Sequence, residues 1–276
     1  MSSISAFGIA KDEATQVFRH WPQFVVLALV WSLIATAAVI AACFYFAWSE
    51  GRPVDIGLYL DRMANGDLTR QYTLISSFGT LFGQLATAIG WTRLVLLDEQ
   101  PRGWLYIPYG SARYLGRYLI VLLLCVLLAV PGFLIGGMVG AFVPGMVGRI
   151  GGAVIMGVGG LAAIYLCLRM WLVFPAVAIQ DDAMTLRRSV KLTGQAPVVA
   201  VLAPLLSYVP FAVIAVIIDV LPTLLPMGYI ATSIAILAEF FSTLTILGAI
   251  AASSGVMAVL YAQLVPDSTA LAQAAA

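Results

Sequence analysis

Apolar positions in this chain come in long unbroken runs rather than in alternation. Six runs stand out, at about 24–48, 74–97, 118–142, 151–175, 198–220 and 240–263. Each approaches or exceeds the roughly 20 residues that cross a hydrocarbon core about 30 Å thick. Backbone inside lipid has no water to bond, so continuous apolar runs predict α-helices. The period-two alternation of a membrane β-barrel is missing. The expected fold is all-α: a polytopic transmembrane bundle of about six spans plus short interfacial amphipathic helices, in one integral membrane domain over 1–276. The first run is about 25 residues long, more than a signal-peptide core, so it is expected to stay on the protein as an anchor.

The pattern is least regular between Leu221 and Phe240. Pro222, Pro226 and Gly228 predict a broken, interfacial or re-entrant piece. The alternative is one strongly tilted helix, because Tyr229 to Val265 would measure about 55 Å at 1.5 Å per residue.

Three polar stretches carry helical periodicity. Ala10, Ala14, Val17, Phe18 and Trp21 share one face, with Lys11, Asp12, Glu13 and Arg19 on the remainder and Pro22 ending the pattern. In the first loop, Asp55 is placed to cap a short helix bearing Ile56, Tyr59, Leu60 and Met63, with Asn65-Gly66 as its stop. The third stretch joins the fourth and fifth runs. Asp181 is its expected N-cap and Gly194 its terminator. Ala183, Leu186 and Val190 form an apolar stripe flanked by Arg187, Arg188 and Lys191.

Charge orients these elements. The loops on one side carry Arg52, Arg62, Arg70 and Arg149. The other side carries the remaining ten of the 14 lysines and arginines. The positive-inside rule therefore places both termini in the cytoplasm. A helix built like the third stretch lies in the headgroup plane, where each cation contributes about 1 kcal/mol on an anionic leaflet. Two readings stay open. Arg187, Arg188 and Lys191, with Arg113 and Arg117, either satisfy only the positive-inside bias or contact anionic lipid or a protein partner.

Composition narrows the chemistry. The chain is 62% hydrophobic and 10% charged, with a mean hydropathy of +1.01, far from soluble globular usage. A net charge of +1 argues against nucleic acid as a partner. The length leaves no room for a soluble catalytic module beside the spans. Cys43, Cys125 and Cys167 sit in apolar runs without a CxxC pair and read as small hydrophobes. One histidine, His20, leaves no base for Ser253-Ser254-Gly255 and no histidine-rich metal set. No Gly-Lys-Ser/Thr phosphate loop occurs. No catalytic residue, cofactor or metal is therefore expected.

Charges in or near the spans are functional candidates because burying them in lipid is costly. They are Arg93, Arg169, Asp219 and Glu239. Arg93 and Arg169 lie close enough to the cytoplasmic ends to snorkel, and Asp219 is near an outer end. Glu239 is the better candidate: it lines a polar cavity if the 221–240 piece is re-entrant, and simply faces water if that piece is interfacial. Gly132, Gly136 and Gly140 form a stripe at four-residue spacing, continued by Gly148 and Gly152. It reads as close packing of a helical hairpin about Pro144-Gly145, or as a glycine seam of channel type.

The second and fourth runs each exit with a Trp and an Arg, then an acidic pair, then basic residues. Interfacial anchoring or duplication of a three-helix unit both produce that echo. The segment Trp91-Thr-Arg93-Leu-Val-Leu-Leu-Asp-Glu-Gln-Pro101, and the connection from Phe174-Pro175-Ala176 to Ser189-Val-Lys-Leu-Thr-Gly194, carry a resemblance over most of the chain. They are similar to uncharacterised bacterial six-helix proteins that resemble the membrane domain attached to some glycerophosphodiester phosphodiesterases. The resemblance implies a bacterial inner-membrane location and a non-catalytic membrane domain. The soluble phosphodiesterase domain with its metal ligands has no counterpart in this sequence, so no catalytic residue carries over. The expected function is an accessory or scaffold protein contacting anionic headgroups, a membrane-protein complex or a second copy of itself. The alternative is a small-molecule or lipid carrier with a cavity near Glu239; an intramembrane enzyme comes third.

Overall fold

A computed structural model describes residues 5–56, 58, 59, 62, 69–101, 103, 106–108, 110–220 and 229–265. Every regular element among them is helical. They run as α1 Ala6–Arg19, α2 Trp21–Ser49, α3 Thr69–Leu97, α4 Ser111–Phe142, α5 Gly145–Met170, α6 Val173–Ala178, α7 Leu186–Thr193, α8 Pro197–Val220 and α9 Tyr229–Leu264. Six of the helical stretches are long and apolar enough to cross a membrane. The chain is a multi-pass membrane protein.

Several boundaries differ from the hydropathy runs, three of them with a clear local cause or consequence. α4 begins at Ser111, because Arg113, Tyr114, Arg117 and Tyr118 continue the helix beyond its apolar part, back to Gly110 in the left-handed region. α5 begins at Gly145, whose φ of +80° turns the hairpin. α9 is one 36-residue helix, about 54 Å long, so from Tyr229 onward the long-helix alternative is the one found. The break expected at Pro222, Pro226 and Gly228 lies outside the described residues, as does the Asn65-Gly66 stop.

Two compact units occur, one within Met1–Tyr109 and Ala203–Val256, the other within Gly110–Leu202 and Met257–Ala276. In the first, Ser5 caps α1 by accepting from the Gly8 N–H at 3.3 Å. α2 follows α1 after His20, with Pro22 in its first turn, where the missing N–H costs no helical bond. The core gathers Ala14 and Val17 of α1, Phe24 and Leu27 of α2, Trp91 and Leu94 of α3, Phe211 of α8, and Leu244 to Ala252 along one face of α9. At the other end of α2, Tyr59 packs on Cys43, Phe46 and Ala47. Asp55 caps that turn as expected, accepting from the Leu58 N–H at 3.1 Å.

The face of α1 is rotated from the expected one. Ala10, Glu13, Ala14 and Val17 are buried, whereas Phe18 and Trp21 are about half exposed. Phe18 keeps a stacked contact with Phe211, 5.6 Å between ring centres.

The second unit is built on the α4–α5 hairpin. A Cβ on Gly132 would stand 2.7 Å from Gly159 Cα, and one on Gly136 would stand 2.5 Å from the Gly152 carbonyl oxygen. The glycine stripe is therefore a close-packing seam, the first of its two readings. α6 then ends in a Schellman turn: Gln180 takes φ +64°, the Asp181 N–H reaches Ala176 O at 2.8 Å, and the Gln180 N–H reaches Val177 O at 3.2 Å.

Candidate functional site

The Schellman turn directs Asp181 inward rather than onto α7. Its Oδ1 accepts from the Ala183 N–H at 2.9 Å, and its Oδ2 accepts from the Tyr261 hydroxyl. The expected Asp181 cap is therefore corrected. Thr185 is the N-cap, its hydroxyl accepting from the Arg188 N–H at 3.2 Å. The helix is correspondingly short, with Ala183 exposed outside it. Gly194 closes it with a right-handed φ of −61°, so no left-handed terminator is used.

Within α7, positions 186, 189, 190 and 193 turn inward. Ser189 and Thr193 are fully buried, and Leu186 and Val190 pack about Val121, Cys167 and Met170. Positions 187, 188 and 191 turn outward and are exposed.

Arg169 fastens the inner face. The last four carbonyls of any helix lack intrahelical partners. Those of α5 and α7 are partly satisfied by each other's side chains. The Ser189 hydroxyl donates to Arg169 O at 2.8 Å and the Thr193 hydroxyl to the same oxygen at 3.2 Å. In return the Arg169 guanidinium donates to Val190 O at 2.6 Å and to Thr193 Oγ1 at 3.3 Å. It also sits over the Tyr165 ring, 5.6 Å from its centre. Arg169 is thus a clamp on α7 rather than a snorkelling charge.

The remaining predicted residues divide. Arg187 and Lys191 present their charges without a hydrogen bond or ion pair among the described residues. Arg188 reaches Ala183 O at 3.3 Å. Arg113 pairs with Asp182 at 2.6 Å on the surface. Arg117 is half-buried in the second turn of α4. Arg93 pairs with Glu99 at 2.5 Å, the chain folding back through Asp98 at φ 53°. Glu239 is half-buried on α9. The side chain of Asp219 lies outside the described residues.

A cavity of about 200 Å³ opens between α4 and α5, lined by Tyr118, Val121, Cys125, Ile164, Cys167, Trp171 and neighbouring apolar side chains. Its walls offer few polar groups. Among the described residues no three His, Cys, Asp or Glu side chains gather as a metal ligand set.

Sequence reasoning passed over one residue. Glu13, assigned to the polar side of α1, is buried at 2% exposure and its Oε2 has no hydrogen-bond partner among the described residues. Its spacing from Ala10 and Val17, three before and four after, was the signal available.

No protein-family model, curated protein or solved structure matches this chain.

Proposed function

We propose that this chain is an accessory or scaffold protein of a bacterial inner membrane, with both termini cytoplasmic, that meets anionic lipid headgroups through α7. One observation supports the contact most: α7 is fastened from beneath by Arg169 while Arg187, Arg188 and Lys191 all face outward. A helix retained only for charge bias needs no such clamp. The orientation rests on the Lys and Arg distribution, and the inner membrane on the resemblance to the six-helix proteins. Three cations at about 1 kcal/mol each favour an anionic over a neutral surface by roughly 100-fold.

The test is phosphatidylglycerol retention by the purified protein, counted by native mass spectrometry. Charge reversal of Arg187, Arg188 and Lys191 should lower retention while the helical spectrum and unfolding midpoint hold. Unchanged retention sinks the lipid contact and leaves a protein partner as the remaining use of this face.

A carrier is the second reading, favoured by one finding in the first unit. Trp31 Nε1, Ser32 Oγ, Thr87 Oγ1 and Trp91 Nε1 are buried without hydrogen-bond partners among the described residues, a rare condition unless water or a ligand visits. Rapid solvent exchange of the Trp31 and Trp91 indole protons fits a wet path; protection over days excludes one.

A further inference from the structure

Glu13 and Trp91 meet across Gly255. Glu13 Oε2 and Trp91 Nε1 are both buried and without hydrogen-bond partners among the described residues. A Cβ added to Gly255 would overlap the Glu13 carboxylate and stand 3.0 Å from Trp91 Nε1. Glycine at that position lets a carboxyl from α1 enter the α3–α9 contact. Trp91 belongs to an apolar core cluster that also holds Ala14, Val17, Phe24 and Ala252.

Among the described residues no counter-charge from the packed elements acts on Glu13. The charge acting on Glu13 is Asp12, of the same sign. α2 carries no ionic residue, and its titratable Cys43 and Tyr45 lie near its far end. On α3, Arg93 is paired with Glu99. On α9, Glu239 is about 24 Å along the helix from Gly255 and Tyr261 about 9 Å, the latter donating its hydroxyl proton to Asp181. The α8 portion brings Tyr208, the connection before α4 brings Tyr106, and His20 stands at the α1–α2 junction. An ionised carboxylate buried here gives up much of its hydration, and no cation among the described residues acts on it in exchange.

We propose that Glu13 is a proton-binding site that sets whether α1 stays docked on the rest of the first unit. Neutral, the acid fits the apolar setting, and its unprotonated oxygen suits the Trp91 N–H as an acceptor. Ionised, it regains hydration only when α1 leaves, giving its proton to bulk water. Burial, with Asp12 adding to it, pushes the docked carboxyl up to about 7, against an ordinary 4.5 once released. Between those values the docked state binds more protons, so docking weakens as pH rises. It is strongest below about pH 4.5 and changes no further above about 7. The whole interval corresponds to roughly 300-fold in the docking equilibrium.

Hydrogen exchange of α1 peptides in lipid nanodiscs tests this, from about pH 5 to about pH 8.5 with intrinsic rates divided out. The wild type should lose α1 protection across that range. Glu13→Gln should hold its protection throughout, and His20→Gln should follow the wild type. A flat wild-type profile overturns the proposal, as does a Glu13→Gln profile that still falls. Should Glu13→Gln leave α1 unprotected at every pH, wild-type infrared spectra decide. A carboxylic-acid carbonyl band present at the acid end and lost at the basic end supports the site; an unchanged spectrum overturns it.

Discussion

The Tyr261 hydroxyl donates to Asp181 across 80 residues of chain, tying the turn before α7 to the last turn of α9. The adjacent Asp182 instead makes an exposed pair with Arg113, with side-chain exposures of 79% and 55%. One acidic pair in the sequence therefore has two unequal fates. Tyr261→Phe leaves a buried carboxylate oxygen short of its donor and should destabilise the protein by about 1.5–3 kcal/mol. Asp182→Asn loses only a solvated ion pair, worth about 0–1 kcal/mol. Thermal unfolding of both variants in one detergent checks the ranking; equal losses would contradict it.

The hairpin seam offers a sharper contrast. Gly152→Ala would drive a methyl into the Gly136 carbonyl and the Gly140 backbone, whereas Gly137 and Gly160 have open space at their Cβ positions. The first substitution should cost about 1–3 kcal/mol by overpacking. Ala at Gly137 or Gly160 should shift stability by about 1 kcal/mol at most. Unfolding midpoints read the difference directly.

Arg169 predicts a local effect. Arg169→Lys keeps the charge but loses the planar fork that reaches Val190 O and Thr193 together. Amide protection in α7 should fall by roughly ten- to a hundred-fold, while α4 and α5 keep theirs. Protection unchanged in α7 would show that Leu186 and Val190 hold the helix without the clamp.

Gln180 holds a left-handed conformation that favours glycine. Gln180→Gly should therefore stabilise the second unit by about 1 kcal/mol, a gain visible as a raised unfolding midpoint. A lowered midpoint would mean that the turn draws more from the glutamine side chain than it loses to strain.

Much of this architecture is legible from sequence because lipid enforces it. Continuous apolar runs admit only helices, and the spacing of Gly132, Gly136 and Gly140 is a packing signature in its own right. Charged first turns are what hydropathy misses, so Arg113 and Arg117 fell outside the expected span although they belong to α4. Asp181 looked like a cap because Asp commonly is one. Its role is decided by the left-handed Gln180 and by a hydroxyl 80 residues away, and no local pattern encodes either. The charge of Glu13 suggests the polar side, but on the helical wheel it lies about 40° from Val17, at the edge of the face that Ala10, Ala14 and Val17 share. Arg169 as a clamp depends on unpaired carbonyls at two helix ends meeting in space.

The proposed contact between α7 and phosphate headgroups can be tested atom to atom. Solid-state dipolar dephasing between arginine Cζ carbons and lipid phosphorus, in phosphatidylglycerol bilayers, reports guanidinium groups lying against phosphate. The predicted result is clear dephasing that drops when Arg187 and Arg188 are replaced by Gln, and that persists when Arg113, paired with Asp182, is replaced. Dephasing that is absent, or indifferent to Arg187 and Arg188, would contradict a headgroup contact at α7.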